Sequence, residues 1–245
     1  MCRLLIVKSL IAILVASSSL FPDKGYGQGH LVINSGVCGN STRDLLNRLN
    51  NDIWQKHPDL ILLMIGTNDM LNTSKMISYG EYKNNLRSLL DRIKKRNIKC
   101  VLLSPPPVDT VFLYQRHDPG MYRQHPNDKL DSIASIMKKL KDDYDFGMID
   151  LYHLFSERKI PVHNRDPFIK NEFNSQERDG VHPTAIGYKL IAEKIYEYLL
   201  ENNLVDNSIN ILCLGDSITY GKNVKGQGTS LGETYPAFLQ KLISY

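Results

Sequence analysis

No two cysteines in this chain have CxxC spacing: the four, Cys2, Cys38, Cys100 and Cys213, stand far apart. That excludes a zinc ribbon and a thioredoxin-like redox motif. Cys100 and Cys213 lie within short apolar runs, where a free cysteine behaves as a small core hydrophobe, so both are read as buried thiols rather than a disulfide. His117, His125, His153 and His163 lack metal-ligand spacing and read as loop or surface residues; no metal is expected. A GxGxxG loop is also missing. Gly226-Gln227-Gly228 begins a glycine-rich turn and stops, which argues against phosphate cradling and a nucleotide-binding protein. Asp145-Phe146-Gly147 imitates a kinase signature without any partner motif. Nor is there an excess of charge, with 30 Lys and Arg against 26 Asp and Glu, so neither nucleic acid nor an anionic membrane is implied as a partner.

The first twenty residues lack any acid. Arg3 and Lys8 precede the apolar stretch Leu10 to Ala16, and Ser17, Ser18 and Ser19 follow. A basic start, a short apolar middle and small residues form the layout of a secretory signal peptide over 1–19. The run is too short for a membrane span and is interrupted by Lys8. The expected location is therefore secreted or periplasmic, with no stable membrane span after processing.

What remains, residues 29–245, is long enough for one sizeable domain, and 42% apolar with 23% charged residues is ordinary for a globular chain. Short apolar runs alternate with amphipathic stretches. Strands are expected at 32–35, 59–65, 100–104, 147–151 and 209–214. Between them Leu45, Leu46, Leu49 and Ile53, then Tyr82, Leu86, Leu89, Leu90 and Ile93, recur at helical spacing. Further helices carry Leu130, Ile133, Met137 and Leu140, then Ile186, Leu190, Ile191, Ile195 and Leu199 behind Pro183, and finally residues 235–243. Strands alternating with helices imply parallel pairing, hence a three-layer α/β/α sandwich with about five strands.

In open parallel sheets, sites form at the carboxyl ends of strands. Four polar tails fall there: 36–40, 66–69, 179–182 and 215–217. Ser217 directly follows the apolar run Ile209 to Gly215, which would hold its hydroxyl at the sheet edge. An isolated serine is a poor nucleophile and needs a base. His182 is the candidate base, and Asp179, three residues earlier, can reach its other ring nitrogen and fix the tautomer. Acyl transfer also needs donors for the oxyanion, and the backbone amides of Ser217 and Gly39 with the side-chain amide of Asn68 offer three. Each signal alone is weak, since serine caps turns, asparagine closes them and histidine caps helices. Their convergence points to a nucleophilic hydrolase.

These motifs resemble those of the SGNH (GDSL) hydrolases. Gly215-Asp216-Ser217 is similar to block I, Asn34-Ser35-Gly36-Val37-Cys38-Gly39 to block II, Gly66-Thr67-Asn68-Asp69 to block III and Asp179-Gly180-Val181-His182 to block V. The resemblance implies a flavodoxin-like fold, a Ser217-His182-Asp179 triad, an oxyanion hole of Ser217, Gly39 and Asn68, ester hydrolysis and no cofactor. One departure is evident: the family runs I, II, III, V, whereas block I comes last here, so a circular permutation is expected. The stretch 221–235 is similar to that of bacterial GDSL acylhydrolases and carbohydrate acetylesterases. A short-acyl ester, such as an acetylated carbohydrate, is the first expectation for substrate. A lysophospholipase or thioesterase-type acylhydrolase comes second, and a catalytically silent binding module third. Phe112, Tyr114 and Tyr122, in a loop expected after Pro107, are candidates to stack on sugar or line an acyl groove.

Overall fold

A computed structural model describes residues 31–205 and 208–244; the expected signal at 1–19 lies outside them. Five strands, β1 (Leu31–Gly36), β2 (Leu60–Met64), β3 (Lys99–Leu103), β4 (Gly147–Ile149) and β5 (Asn210–Gly215), form one parallel sheet. Its order is β1-β5-β2-β3-β4, so the strand latest in the chain lies second in space.

Both faces of the sheet are covered, as buried parallel strands require. Helices α1 (Thr42–Lys56), α3 (Tyr79–Lys94) and α5 (Pro126–Tyr144) supply one apolar layer. There Leu49, Leu86 and Ile133 pack with Ile61, Leu63, Leu102 and Leu212 of the sheet. Between β2 and α3 comes the short α2 (Thr67–Leu71), and between β3 and α5 the short α4 (Thr110–Arg116). The opposite layer takes α6 (Leu151–Glu157), then past the single turn α7 (Glu172–Ser175) the long α8 (Ala185–Glu201), and α10 (Tyr235–Ile243). Phe155, Tyr188, Ile191, Ile195 and Tyr235 meet Leu60, Leu62, Ile211 and Cys213 there. Alternate residues of each strand thus serve opposite cores, each fully buried Leu or Ile contributing roughly 1.5–3 kcal/mol relative to exposure.

Backbone bonds knit the base of the sheet around the late strand. The Leu31 N–H donates to the Ile209 carbonyl at 3.0 Å, and the Asp59 N–H to that of Asn210 at 2.9 Å. α10 closes on β1 through the Gln240 Oε1, which accepts from the Val32 N–H at 2.7 Å.

Three expectations need correction. Pro183 does not open α8: Thr184 is its N-cap, accepting from the Gly187 N–H at 3.2 Å, and Pro183 lies in a short antiparallel bridge with Ile169. Ile186 faces solvent rather than the core. The segment after Pro107 is not an open aromatic loop, because Asp109 caps α4 by accepting from the Val111 N–H, and this turns Phe112 inward. Cys100 and Cys213 are buried free thiols, as read from the sequence. No helix among the described residues is long and apolar enough to cross a membrane.

Candidate active site

Strand β5 ends at Gly215 in the middle of the sheet, and only glycine fits there: a Cβ would lie 2.3 Å from the Met64 carbonyl of the neighbouring strand. Asp216 then caps the single turn α9 (Ser217–Tyr220), its Oδ1 accepting from the Ile218 N–H at 2.8 Å. Ser217 is thereby the first helical residue, where backbone N–H groups have no partner within the helix.

The tail from Asp179 to His182 folds on itself. Asp179 Oδ1 accepts from the Val181 N–H at 2.8 Å and the His182 N–H at 2.7 Å, with Gly180 at φ +72° making the turn. This brings the His182 Nδ1 to 2.8 Å from Asp179 Oδ2, and leaves His182 Nε2 at 2.9 Å from the Ser217 Oγ. With Nδ1 protonated toward the carboxylate, Nε2 is the acceptor for the serine proton. The His182 and Asp179 side chains are both buried. Burial pushes the Asp179 carboxyl up, but hydrogen bonds and charge from His182, with Arg116 beyond, outweigh it and hold the carboxyl well below the usual carboxylate range. It is an anion at neutral pH and fixes the imidazole.

The segments that follow β1, β2 and β5 meet opposite the histidine. Gly39 has φ +79°, a left-handed conformation that favours glycine, and an added Cβ would meet only open space. Its special geometry, not crowding, therefore explains the residue. The Gly39 carbonyl accepts from Lys75 Nζ at 2.7 Å, while neither the Gly39 nor the Ser217 N–H has an acceptor among the described residues. Asn68, in α2, donates one Nδ2 hydrogen to the Asn40 carbonyl at 2.9 Å and keeps the other. Gly39, Asn68, His182 and Ser217 line one cavity of about 210 Å³.

Some expected residues are not there. Phe112 is buried and packs against the His163 ring at a centroid distance of 4.8 Å. Tyr114 and Tyr122 pack on one another at 5.7 Å, and none of the three lines the cavity. Conversely His117, read as a loop or surface histidine, does line it, with its Nδ1 3.2 Å from Thr73 Oγ1. Among the described residues no group of three His, Cys, Asp or Glu side chains is placed to hold a metal ion.

The supporting roles of four residues escaped the sequence, although two of them, Asp69 and Asp216, stand within its motifs. Arg48 donates to the carbonyls of Ser35 (2.8 Å) and Gly215 (3.0 Å) and to Asn40 Oδ1 (2.7 Å), strapping together the ends of β1 and β5 and the loop after Gly39. Its pairing with Asp52 at i,i+4 was the one legible hint. Asp69, fully buried, accepts from the Thr42 N–H and Oγ1 and ties α2 to α1. Asp216, also buried, has its carboxyl pushed up to about 7 by burial, with the Ile218 N–H and the nearby Thr67 offsetting part. Arg116 donates to the Asp179 carbonyl across 63 residues, a contact no local pattern encodes.

Known proteins resemble this chain in sequence and in fold. Residues 18–190 match the model of the GDSL-like Lipase/Acylhydrolase family, a span that stops short of Ser217. An acetylxylan esterase of Geobacillus stearothermophilus is 25% identical over 182 residues, covering 71% of this chain and 72% of that protein. An uncharacterized lipoprotein of Bacillus subtilis, YqeF, is 23% identical over 68% of this chain and 72% of its own length. Among solved structures, the acetyl xylan esterase AlAXEase superposes with a TM-score of 0.54 at 22% identity, covering 67% of this chain and 79% of that one. An acylhydrolase structure from Bacteroides fragilis gives 0.51 at 20%, covering 67% and 72%. These two likenesses establish the shared fold.

Proposed function

The chain belongs to the GDSL-like lipase/acylhydrolase family and is a carboxylic ester hydrolase, and we propose that it cleaves short-acyl esters through an acyl-enzyme at Ser217. The observation that carries this is the 2.9 Å contact between Ser217 Oγ and an imidazole whose other nitrogen is held by Asp179.

Ser217 Oγ attacks the ester carbonyl as His182 Nε2 takes its proton. The oxyanion that forms is met by the N–H groups of Gly39 and Ser217 and the spare hydrogen of Asn68 Nδ2. On collapse, His182 returns the proton to the leaving alcohol. Water then attacks the acyl-enzyme, His182 takes a proton from it, and the acid departs as Ser217 Oγ is reprotonated. These steps use only the side chains and backbone amides named, with water as the second nucleophile.

The substrate class follows from room and relatives. A cavity of about 210 Å³ is below the usual range for drug-sized ligands, about 300–1,000 Å³, and favours an acetyl or similarly short acyl group. That a relative bears the name acetylxylan esterase supports an acetylated carbohydrate. Hydrolysis of p-nitrophenyl esters of graded chain length tests this: kcat/KM should be highest for acetate and fall steeply beyond butyrate. A maximum at long chains would replace it with the lysophospholipase or thioesterase reading, and no turnover of any ester would leave a silent binding module.

We further read the motif order as a circular permutation, since the family match ends at residue 190 and the Ser217-bearing strand lies between β1 and β2. Export through the segment 1–19 fits an enzyme acting on carbohydrate outside the cell, and one relative's lipoprotein name accords with it. Protein recovered outside the cytoplasm should then begin near Ser19 on N-terminal sequencing; an intact Met1 would contradict this.

A further inference from the structure

The cavity at Ser217 is lined by thirteen residues, and not one is an acid. Two are cations, Arg116 and Lys222, in a chain whose acids and bases are otherwise close to balance. A cleft lined by one sign of charge, with apolar walls such as Leu71, Leu113 and Val181, concentrates its field on whatever enters.

Lys222 follows Gly221, which ends α9 at φ +77°. Its backbone is fixed on both sides: its N–H donates to the Ser217 carbonyl at 3.1 Å, and its own carbonyl accepts from Lys170 Nζ at 3.2 Å. The Lys222 ammonium has no ion pair or hydrogen bond among the described residues. It lies near Cys38, another lining residue: burial pushes the Cys38 thiol up, and the Lys222 charge offsets part of that. Arg116 is different. Its Nη2 is bound to the Asp179 carbonyl and stands 3.9 Å from Asp179 Oδ1, so its charge is shared, while Nε and Nη1 have no partner among the described residues. His117 adds no charge at neutral pH, because burial and the Arg116 charge lower its pKa.

Lys222 is thus the cation of the lining that has no carboxylate partner among the described residues, which fits a single carboxylate rather than a dianion. The short acyl group read from the size of the cavity leaves the alcohol portion to bear the anion. We infer that the substrate is an ester whose alcohol portion carries a carboxylate, such as an acylated uronate, received by Lys222 and the spare donors of Arg116. This rests on the esterase reading and adds the charge of the substrate to it.

The test compares two aryl acetates of like shape, 4-acetoxybenzoate and 4-acetoxybenzamide, each kcat/KM divided by the hydroxide-catalysed rate of the same ester. At low ionic strength the carboxylate should be preferred about five-fold, the scale of one exposed ion pair. The preference should collapse toward unity in about 0.5 M NaCl, where screening is strong. K222Q should lower the ratio to near one and K222E should invert it. Because both esters are read on the same protein, loss of folded material cancels. A wild-type ratio of one with the neutral ester still hydrolysed overturns this inference and leaves the esterase standing. So does a ratio that K222Q and K222E leave unchanged. Folded protein that hydrolyses neither ester overturns the esterase reading, and this inference with it.

Discussion

Replacing Ser217 by alanine, or His182 by alanine, is expected to lower kcat by about 10⁴-fold or more, since nucleophile and base act as one unit. A fluorophosphonate should add once to the folded protein, on Ser217, because a base-activated serine beside oxyanion donors attacks such phosphorus centres. Intact-mass analysis followed by peptide mapping reads the result. No adduct, or an adduct on another serine, would remove the assignment. The same two variants examine the permutation. Ser217 and His182 meet within one chain at 2.9 Å, although they are 35 residues apart and the strand bearing the serine is the last. A mixture of the two dead variants, unfolded and refolded together, should therefore stay inactive at every ratio. Recovery of activity would mean that the last strand completes a neighbouring molecule instead.

Asn68→Ala is expected to cost about 10²–10³ in kcat with little change in KM, as the contact strengthens only when the oxyanion forms. The geometry sharpens this expectation. Asn68 also donates to the Asn40 carbonyl, so the alanine variant loses a tether between two loops, worth about 0.5–1.5 kcal/mol. That appears as a fall in Tm of a few degrees, about 2–4 °C per kcal/mol for a chain of this size. Steady-state kinetics well below the transition separates the two effects. A raised KM at constant kcat would place Asn68 in ground-state binding and take it out of the oxyanion hole.

Most of the frame was legible because it is written in local periodicity. Apolar runs such as Leu60–Met64 and Asn210–Gly215 mark buried parallel strands, and residues such as Leu86, Leu89, Leu90 and Ile93 mark a helix face. The candidate site residues were legible for a second reason: parallel sheets place polar strand tails on one edge, so Ser217, Asn68 and Gly39 were expected to converge. The failures were local too. Phe112 was read as a loop residue open to substrate because Asp109 was not recognised as a cap, and one turn of helix buries its ring instead. Pro183 was taken as a helix start, whereas the chain first forms a bridge with Ile169 and begins α8 after Thr184.

The sequence by itself determined the layers, the candidates for nucleophile and base, and the order of the motifs, because each depends on residues within a few positions of one another. Only the tertiary structure decided what surrounds them. Arg48 reaches Gly215 across 167 residues and Arg116 reaches Asp179 across 63. His117 and Lys222 share one cavity although they are 105 positions apart along the chain. Such contacts are set by how whole elements pack, since a side chain's neighbours in space depend on the paths of distant segments. The chemistry is therefore local and readable, whereas the charge and size of the cavity, and with them the choice of ester, belong to the fold.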